Sequence, residues 1–248
     1  MYNFYCWLLS VLTKVERTMK KIAILQSNYI PWKGYFDLIR SVDEFILYDD
    51  VQFTKNDWRN RNQVKSSQGA QWLTIPVLSK GKLEQKIKDT KILNHTWAID
   101  HWKSIQNYYS KSAYLKNYRA SFESIYTQCA SLELLSEVNF KFIKLICGIL
   151  GITTKISWST DYSLREGKTE RLVGLCHDTG ANYYLSGPAA KDYIAESLFK
   201  EAGIELAYVD YSGYPEYPQL YGQFEHRLSI LDLLFNTGPD ALKYMKLL

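Results

Sequence analysis

The chain has 248 residues, 46% of them hydrophobic and 23% charged, a balance that excludes disordered and fibrous proteins and leaves one compact domain with at most a modest subdomain. Thirty Lys and Arg against twenty-six Asp and Glu give a net charge of +4, too small to point to nucleic acid or a membrane surface as partner unless the charge clusters. Aromatic residues are in surplus, 20 Tyr, 10 Phe and 7 Trp, which suits either an aromatic-rich core or a pocket for a partly polar ligand such as a sugar or a base.

Residues 2–13, YNFYCWLLSVLT, are largely apolar but too short to span a bilayer, and Lys14 and Arg17 follow the run where a secretory signal would have them in front. Met19 is therefore the expected natural start, and residues 1–18 a non-native or flexible extension; if native, they read as a short docking or membrane-surface helix. From Met19 a strand (Ile22–Leu25), a turn-rich stretch (Ser27–Lys33), an amphipathic helix (YFDLIRSV) and a second strand (Phe45–Tyr48) succeed one another, as in a parallel βαβ unit. The polar stretch TKNDWRNRNQ reads as a loop, and WLTIPV as an edge strand because of its proline. A lysine-rich exposed segment, Ser79–Lys91, precedes three helices within about 95–150 that form a cap or flanking layer, the last stopped by Gly151. Strand KISWST, helix GKTERLVGLCHDTG, strand ANYYLSG, a helix near Ile194–Ala202, strand IELAYVDY, the aromatic loop SGYPEYPQLYG and helix RLSILDLLFN complete the chain. The alternation predicts an α/β fold, a Rossmann-like, mostly parallel sheet with flanking helices and a helical insertion, in a single domain over 19–248.

Four cysteines, Cys6, Cys129, Cys147 and Cys176, show neither a CxxC pair nor a disulfide framework, which suits a reducing, cytoplasmic compartment. His95, His101, His177 and His226 are scattered, so no metal site is expected, and the sequence names no cofactor.

Five segments carry candidate chemistry. The loop Gln26–Tyr35 leads from the first strand to the first helix, where unpaired N–H groups favour an anion; Lys33 and Gly34 lie at that helix start, and Gly34 serves close approach of a phosphate or merely relieves a turn. Asp49, Asp50 and Gln52 end the second strand. Successive side chains there point to opposite sides, so Asp50 is expected to face the crevice, as a base, a hydroxyl-orienting group or a metal ligand, unless it is a cap or turn former. In KNDWRNRN, Arg59 and Arg61 with Asn60 form a donor cluster for phosphate or carboxylate, and Trp58 offers a stacking face. Ser186, Gly187 and Lys191 follow a later strand and suit an anion at a helix start. In the last segment Pro215 and Pro218 forbid a helix, so its aromatics either pack as a lid or line a binding face; Tyr217 and Gln219 are taken as binding residues and His226 as an acid/base candidate.

Taken together, QSNYIPWKGYFDLI, LYDDVQFTKNDWRNRNQVK, YLSGPAAKDY and YPEYPQLYGQFEHRLSILDLLFNTG resemble the WbqC-like protein family, over nearly everything from Lys20 to Gly238. The resemblance implies a role in bacterial O-antigen or other surface-polysaccharide synthesis. On the family's motifs it marks Gln26, Asn28, Tyr29, Pro31, Trp32, Gly34, Tyr35, Asp49, Asp50, Gln52, Trp58, Arg59, Asn60, Arg61, Ser186 and Gly187 as site residues. His226 falls where that pattern is variable. A more distant likeness, of AILQSNYIPWKGYFDLIRSVDEFILYDD to the first βαβ unit of HIGH-motif nucleotidylyltransferases, lacks the histidine after Gly34, where Tyr35 stands. The resulting expectation is a cytoplasmic transferase acting on a phosphorylated or nucleotide-activated sugar. The alternatives are a non-catalytic sugar- or nucleotide-binding partner of glycosyltransferases and a divergent nucleotidylyltransferase.

Overall fold

The computed structural model describes Thr18–Leu248; residues 1–17, which hold most of the expected N-terminal extension and Cys6, lie outside the described residues. Apolar runs of four or five residues, too short for helices, form the parallel strands β1 (Lys21–Leu25), β2 (Glu44–Leu47), β5 (Lys155–Trp158), β6 (Tyr183–Ser186) and β7 (Glu205–Tyr208). Their order is β5-β2-β1-β6-β7, so the chain moves outward from β1 to one edge, then returns to build the other side. That is the Rossmann-like arrangement the sequence predicts, and it reverses direction between β1 and β6.

Alternation along the central strands divides the core. Ala23, Phe45 and Leu47 face one side, Ile22, Ile24 and Ile46 the other. The first face carries α1 (Lys33–Arg40), the three helices α2 (Trp97–Tyr108), α3 (Leu115–Cys129) and α4 (Leu135–Ile149), and the last helix α7 (Ile230–Thr237). Trp97, Trp102, Phe122, Tyr126, Phe142 and Ile146 recur at helical spacing and join the same core as the sheet, so the helical middle is a flanking layer. The second face is covered by α5 (Lys168–Thr179) and α6 (Glu196–Glu201). Both α4 and α5 end where their sequences indicate: Gly151 and Gly180 take the left-handed conformation, and the next N–H groups, of Ile152 and Ala181, donate to Cys147 and Cys176 carbonyls.

One element differs from expectation. The polar stretch is not wholly loop: Arg61–Ser66 is β3, and it pairs antiparallel with β4, Gly69–Thr74. WLTIPV therefore belongs to a separate two-stranded hairpin, not to the edge of the main sheet. Polar residues on β3 hid the pattern, although Asn62 and Val64 do alternate inward.

Cys129, Cys147 and Cys176 are buried and unpaired, and burial pushes each thiol up to about 12. No described helix is long and apolar enough to cross a membrane.

Candidate functional site

At the carboxyl edge of the sheet the β1–α1 loop is shaped by buried polar groups. The Asp49 carboxylate accepts from the Ser27 amide at 2.7 Å and from the Ser27 and Ser136 hydroxyls at 2.6 Å each, which ties the loop to β2 and α4. Asn139 of α4 donates to Ser27 Oγ and to the Arg59 carbonyl, and the Tyr29 amide donates to the Trp58 carbonyl. Ile30 lies at φ +37°, a left-handed conformation costly for a β-branched residue. It is held there by Asn62, whose Nδ2 donates to the carbonyls of both Tyr29 (3.1 Å) and Ile30 (3.0 Å).

Several expected binding residues are consumed by this scaffold. Tyr29 is fully buried among Trp97, Phe142 and His101, its hydroxyl 2.9 Å from His101 Nδ1 and 2.8 Å from the Tyr126 hydroxyl. Tyr35 is buried and donates to the Gln26 carbonyl. Lys33 turns away from the loop mouth and lies buried over the Tyr214 and Tyr217 rings, at 4.7 and 5.2 Å, donating to the Pro215 carbonyl; burial lowers its ammonium to about 8. At Gly34 a protein contact by itself calls for glycine: a Cβ there would lie 2.4 Å from the Trp32 ring. Tyr217 and Gln219 likewise face inward. Tyr217, Tyr109 and Gln219 all donate to the buried Asp232 carboxylate, and Lys65 donates to Gln219, so these groups pin the aromatic loop to α7. With Tyr214 donating to Asp37 at 2.6 Å and Tyr221 to the Tyr108 carbonyl, most of that loop is a packed cover.

What remains open is a crevice of about 440 Å³ between the β1–α1 loop, the start of β3 and the aromatic loop. Trp32, seated edge-on against Tyr211 at 5.0 Å, forms one wall with Pro31; Trp58, 40% exposed and tilted against Trp72, forms another. Asn28 and Asn62 supply amide groups, and the exposed His226 and Arg227 stand at the rim. Arg59 donates to Asn28 and pairs with Asp57 at 3.5 Å, so it orients the Asn28 amide. Arg61 stacks on the Trp72 ring at 4.1 Å. Asn60 is buried and donates to the Ile75 carbonyl, with no partner for its Oδ1.

A second group lies where β2 ends. Asp50, 7% exposed, is met by Lys86 at 3.0 Å, Lys88 at 2.8 Å and Arg171 of α5 at 3.8 Å. Burial would raise its carboxyl, but the bonds from Lys88 and Lys86 outweigh this and hold it below the usual range. Such a carboxylate is a poor proton acceptor near neutrality, which counts against its expected role as a base. Gln52 is exposed and donates to the Leu83 carbonyl, Ser186 donates to the Tyr184 hydroxyl, Gly187 precedes a short 3-10 turn, and Lys191 lies over the Tyr208 ring. These residues surround the carboxyl edge without entering the aromatic crevice. Gln26, half-buried at the end of β1, is placed between the two groups in the strand order.

Sequence reasoning missed Arg227 as a crevice residue, and it held Asn62 and Tyr211 within candidate segments without singling them out. Each adjoins or falls within a segment already singled out, but which side chains of an irregular loop face inward is a tertiary matter. A larger cleft of about 780 Å³ opens between α5 and α6 by Gly180–Asn182 and Gly203, which precede β6 and β7. It is at the amino edge, away from the convergent polar groups, and parallel sheets of this kind bind ligands at the carboxyl edge. The aromatic crevice is therefore the better candidate.

The uncharacterized protein Rv1507c of Mycobacterium tuberculosis is 50% identical over 228 residues, covering 92% of this chain and 98% of that protein. No solved structure matches the chain. The loop Gln26–Tyr35, the Asp49-Asp50 strand end, the β3 start and the aromatic loop, which the fold brings to one edge, all fall within residues 26–244, the stretch matched by the WbqC-like family model, and the chain belongs to the WbqC-like protein family.

Proposed function

We propose that this protein binds a phosphorylated or nucleotide-activated sugar in the aromatic crevice and takes part in group transfer during cytoplasmic synthesis of a bacterial surface polysaccharide such as O-antigen. The polysaccharide context comes from the family resemblance. The ligand class is supported by one observation: Trp32, Trp58, Asn28, Asn62, His226 and Arg227 converge from separate segments onto one concave surface. Indole faces pack on the C–H faces of a sugar or on a base, side-chain amides satisfy hydroxyls, and an exposed guanidinium complements phosphate. His226 carries the crevice's one imidazole, and it serves as acid or base in this reading.

Calorimetric titration with a panel of nucleotide-sugars tests the proposal. Trp58→Ala is expected to weaken a binding nucleotide-sugar about tenfold, the loss of one stacking face. No binding by any member of the panel would overturn it. A non-catalytic binding partner of glycosyltransferases is the second reading, favoured by the commitment of Asp49 to hydroxyl donors and of Asp50 to cations. Binding without turnover, unchanged in His226→Ala, would decide for it.

A further inference from the structure

The lysine-rich segment between β4 and α2 is not a solvated tail. Its residues 85–88 run against 49–53 through backbone bonds from Phe53 to Gln85, Ile87 to Val51 and Lys88 to Asp49, at 2.8, 2.9 and 3.0 Å. Ile87 is buried at the start of a short 3-10 turn, Ile87–Asp89, and the ammonium groups of Lys86, just before it, and Lys88, within it, both reach Asp50. Arg171, in the first turns of α5 on the far side of the chain, reaches the same carboxylate. Three cations thus share one buried anion at the carboxyl end of a central strand, a surplus of two positive charges within the cluster that the exposed Asp89 beside Lys88 offsets in part. Repulsion among them is a cost that a second anion would relieve. Asp50 is 7% exposed, whereas the side chains of Lys86, Lys88 and Arg171 are 46%, 37% and 25% exposed, so both ammonium groups border solvent, while Arg171 also donates through Nε to the Arg165 carbonyl and meets the Tyr48 hydroxyl.

We propose that Lys86, Lys88 and Arg171 form a phosphate subsite, with the Asp50 carboxylate as the internal anion that gathers and orients them. The inference rests on the phosphorylated-ligand reading for its natural occupant, a phosphate or diphosphate group. Its own claim is narrower, that this place in the fold binds such an anion. Lysine ammonium groups supply point charges, and the arginine supplies directed donors. Asp50 plays two opposed parts: it fixes the geometry of the cations, and its charge competes with the incoming anion.

Titration calorimetry of the full chain with pyrophosphate, at low and high salt, tests this. Pyrophosphate is expected to bind, more weakly in high salt. Lys88→Ala and Arg171→Ala should each weaken it about fivefold or more, and Asp50→Asn should tighten it by a similar factor. Lys82→Ala, on the same segment but outside the cluster, should leave it unchanged. No binding by either the wild type or Asp50→Asn overturns the proposal, as does a loss in Lys82→Ala equal to that in Lys88→Ala, which would mean diffuse surface attraction. Pyrophosphate binding with no response to any nucleotide-sugar would refute the proposed function and leave this subsite standing.

Discussion

Replacing Gly34 with Ala isolates the contact that shapes the crevice wall. Gly34 has ordinary helical backbone at the start of α1, so by propensity alone alanine would stabilise the helix by up to about 1 kcal/mol. The new methyl, however, would sit 2.4 Å from Cζ2, 2.7 Å from Cη2 and 2.8 Å from Cε2 of Trp32. The indole cannot yield freely, because Tyr211 and Tyr214 pack edge-on against it at 5.0 and 5.6 Å, and Trp32 itself bridges to Ser229. Overpacking of this kind costs about 1–3 kcal/mol, and lost aromatic pairs about 0.5–1.5 kcal/mol each. Gly34→Ala is therefore expected to destabilise the protein by about 1–3 kcal/mol. In a Trp32→Ala background the obstacle is gone, and the same change should be neutral or stabilising by up to about 1 kcal/mol. Urea unfolding followed by far-UV circular dichroism, on all four members of the cycle, measures the coupling. An equal cost of Gly34→Ala in both backgrounds would refute the reasoning, since it would place the strain in the backbone and not against the indole.

Acid stability carries a signature of His101, which burial lowers from 6.5 to about 4. Its folded value lies below its unfolded one, so its contribution is full above pH 6.5 and is lost as pH falls toward 4, at most about 3 kcal/mol in all. Asp37 and Asp232, raised by burial, act in the opposite sense, so the measure is the difference between wild type and His101→Asn in stability at neutral pH and near pH 5; equal pH slopes would count against it. Glu44 adds a lower window: burial would raise it, but bonds from Tyr162, Lys155, Ser157 and Lys20 bring it to about 2, so its contribution falls away between pH 4.5 and 2 and should vanish in Glu44→Gln. Asn62→Ala should cost about 2–3 kcal/mol, because two loop carbonyls lose their donor where Ile30 is already strained; a cost below about 0.5 kcal/mol by urea unfolding would mean that the loop holds itself. A chain begun at Met19 should take up no alkylating reagent at neutral pH while native and three equivalents once unfolded, since Cys129, Cys147 and Cys176 are buried with raised thiols; mass spectrometry gives the count.

Periodicity made most of the elements legible. The runs Ile22–Leu25 and Phe45–Tyr48 fall on β1 and β2, the helical middle follows its three-and-four spacing, and Gly151 and Gly180 stop α4 and α5. Local rules sufficed there because a strand or helix is selected by its own pattern of apolar side chains. The hairpin of β3 and β4 was not legible in the same way, because Arg61, Asn62 and Gln63 are polar and pay their way through contacts with residues far along the chain.

The candidate site divides along the same line. By itself, the sequence determined which segments crowd the carboxyl edge, since strand ends follow from the βα alternation. Only the tertiary structure decided which side chains serve the scaffold and which face solvent. Tyr29, Lys33, Asp49 and Tyr217 were placed at the edge by sequence, yet each meets a partner brought from elsewhere, respectively His101, Tyr214, Ser136 and Asp232, and is sealed by it. Trp32, Trp58 and His226 have aromatic neighbours too, but each keeps a face on the crevice, and Asp50 meets three cations from two other segments. A polar side chain is satisfied by whatever the fold places beside it, and that neighbour is set by the packing of distant elements and not by local spacing.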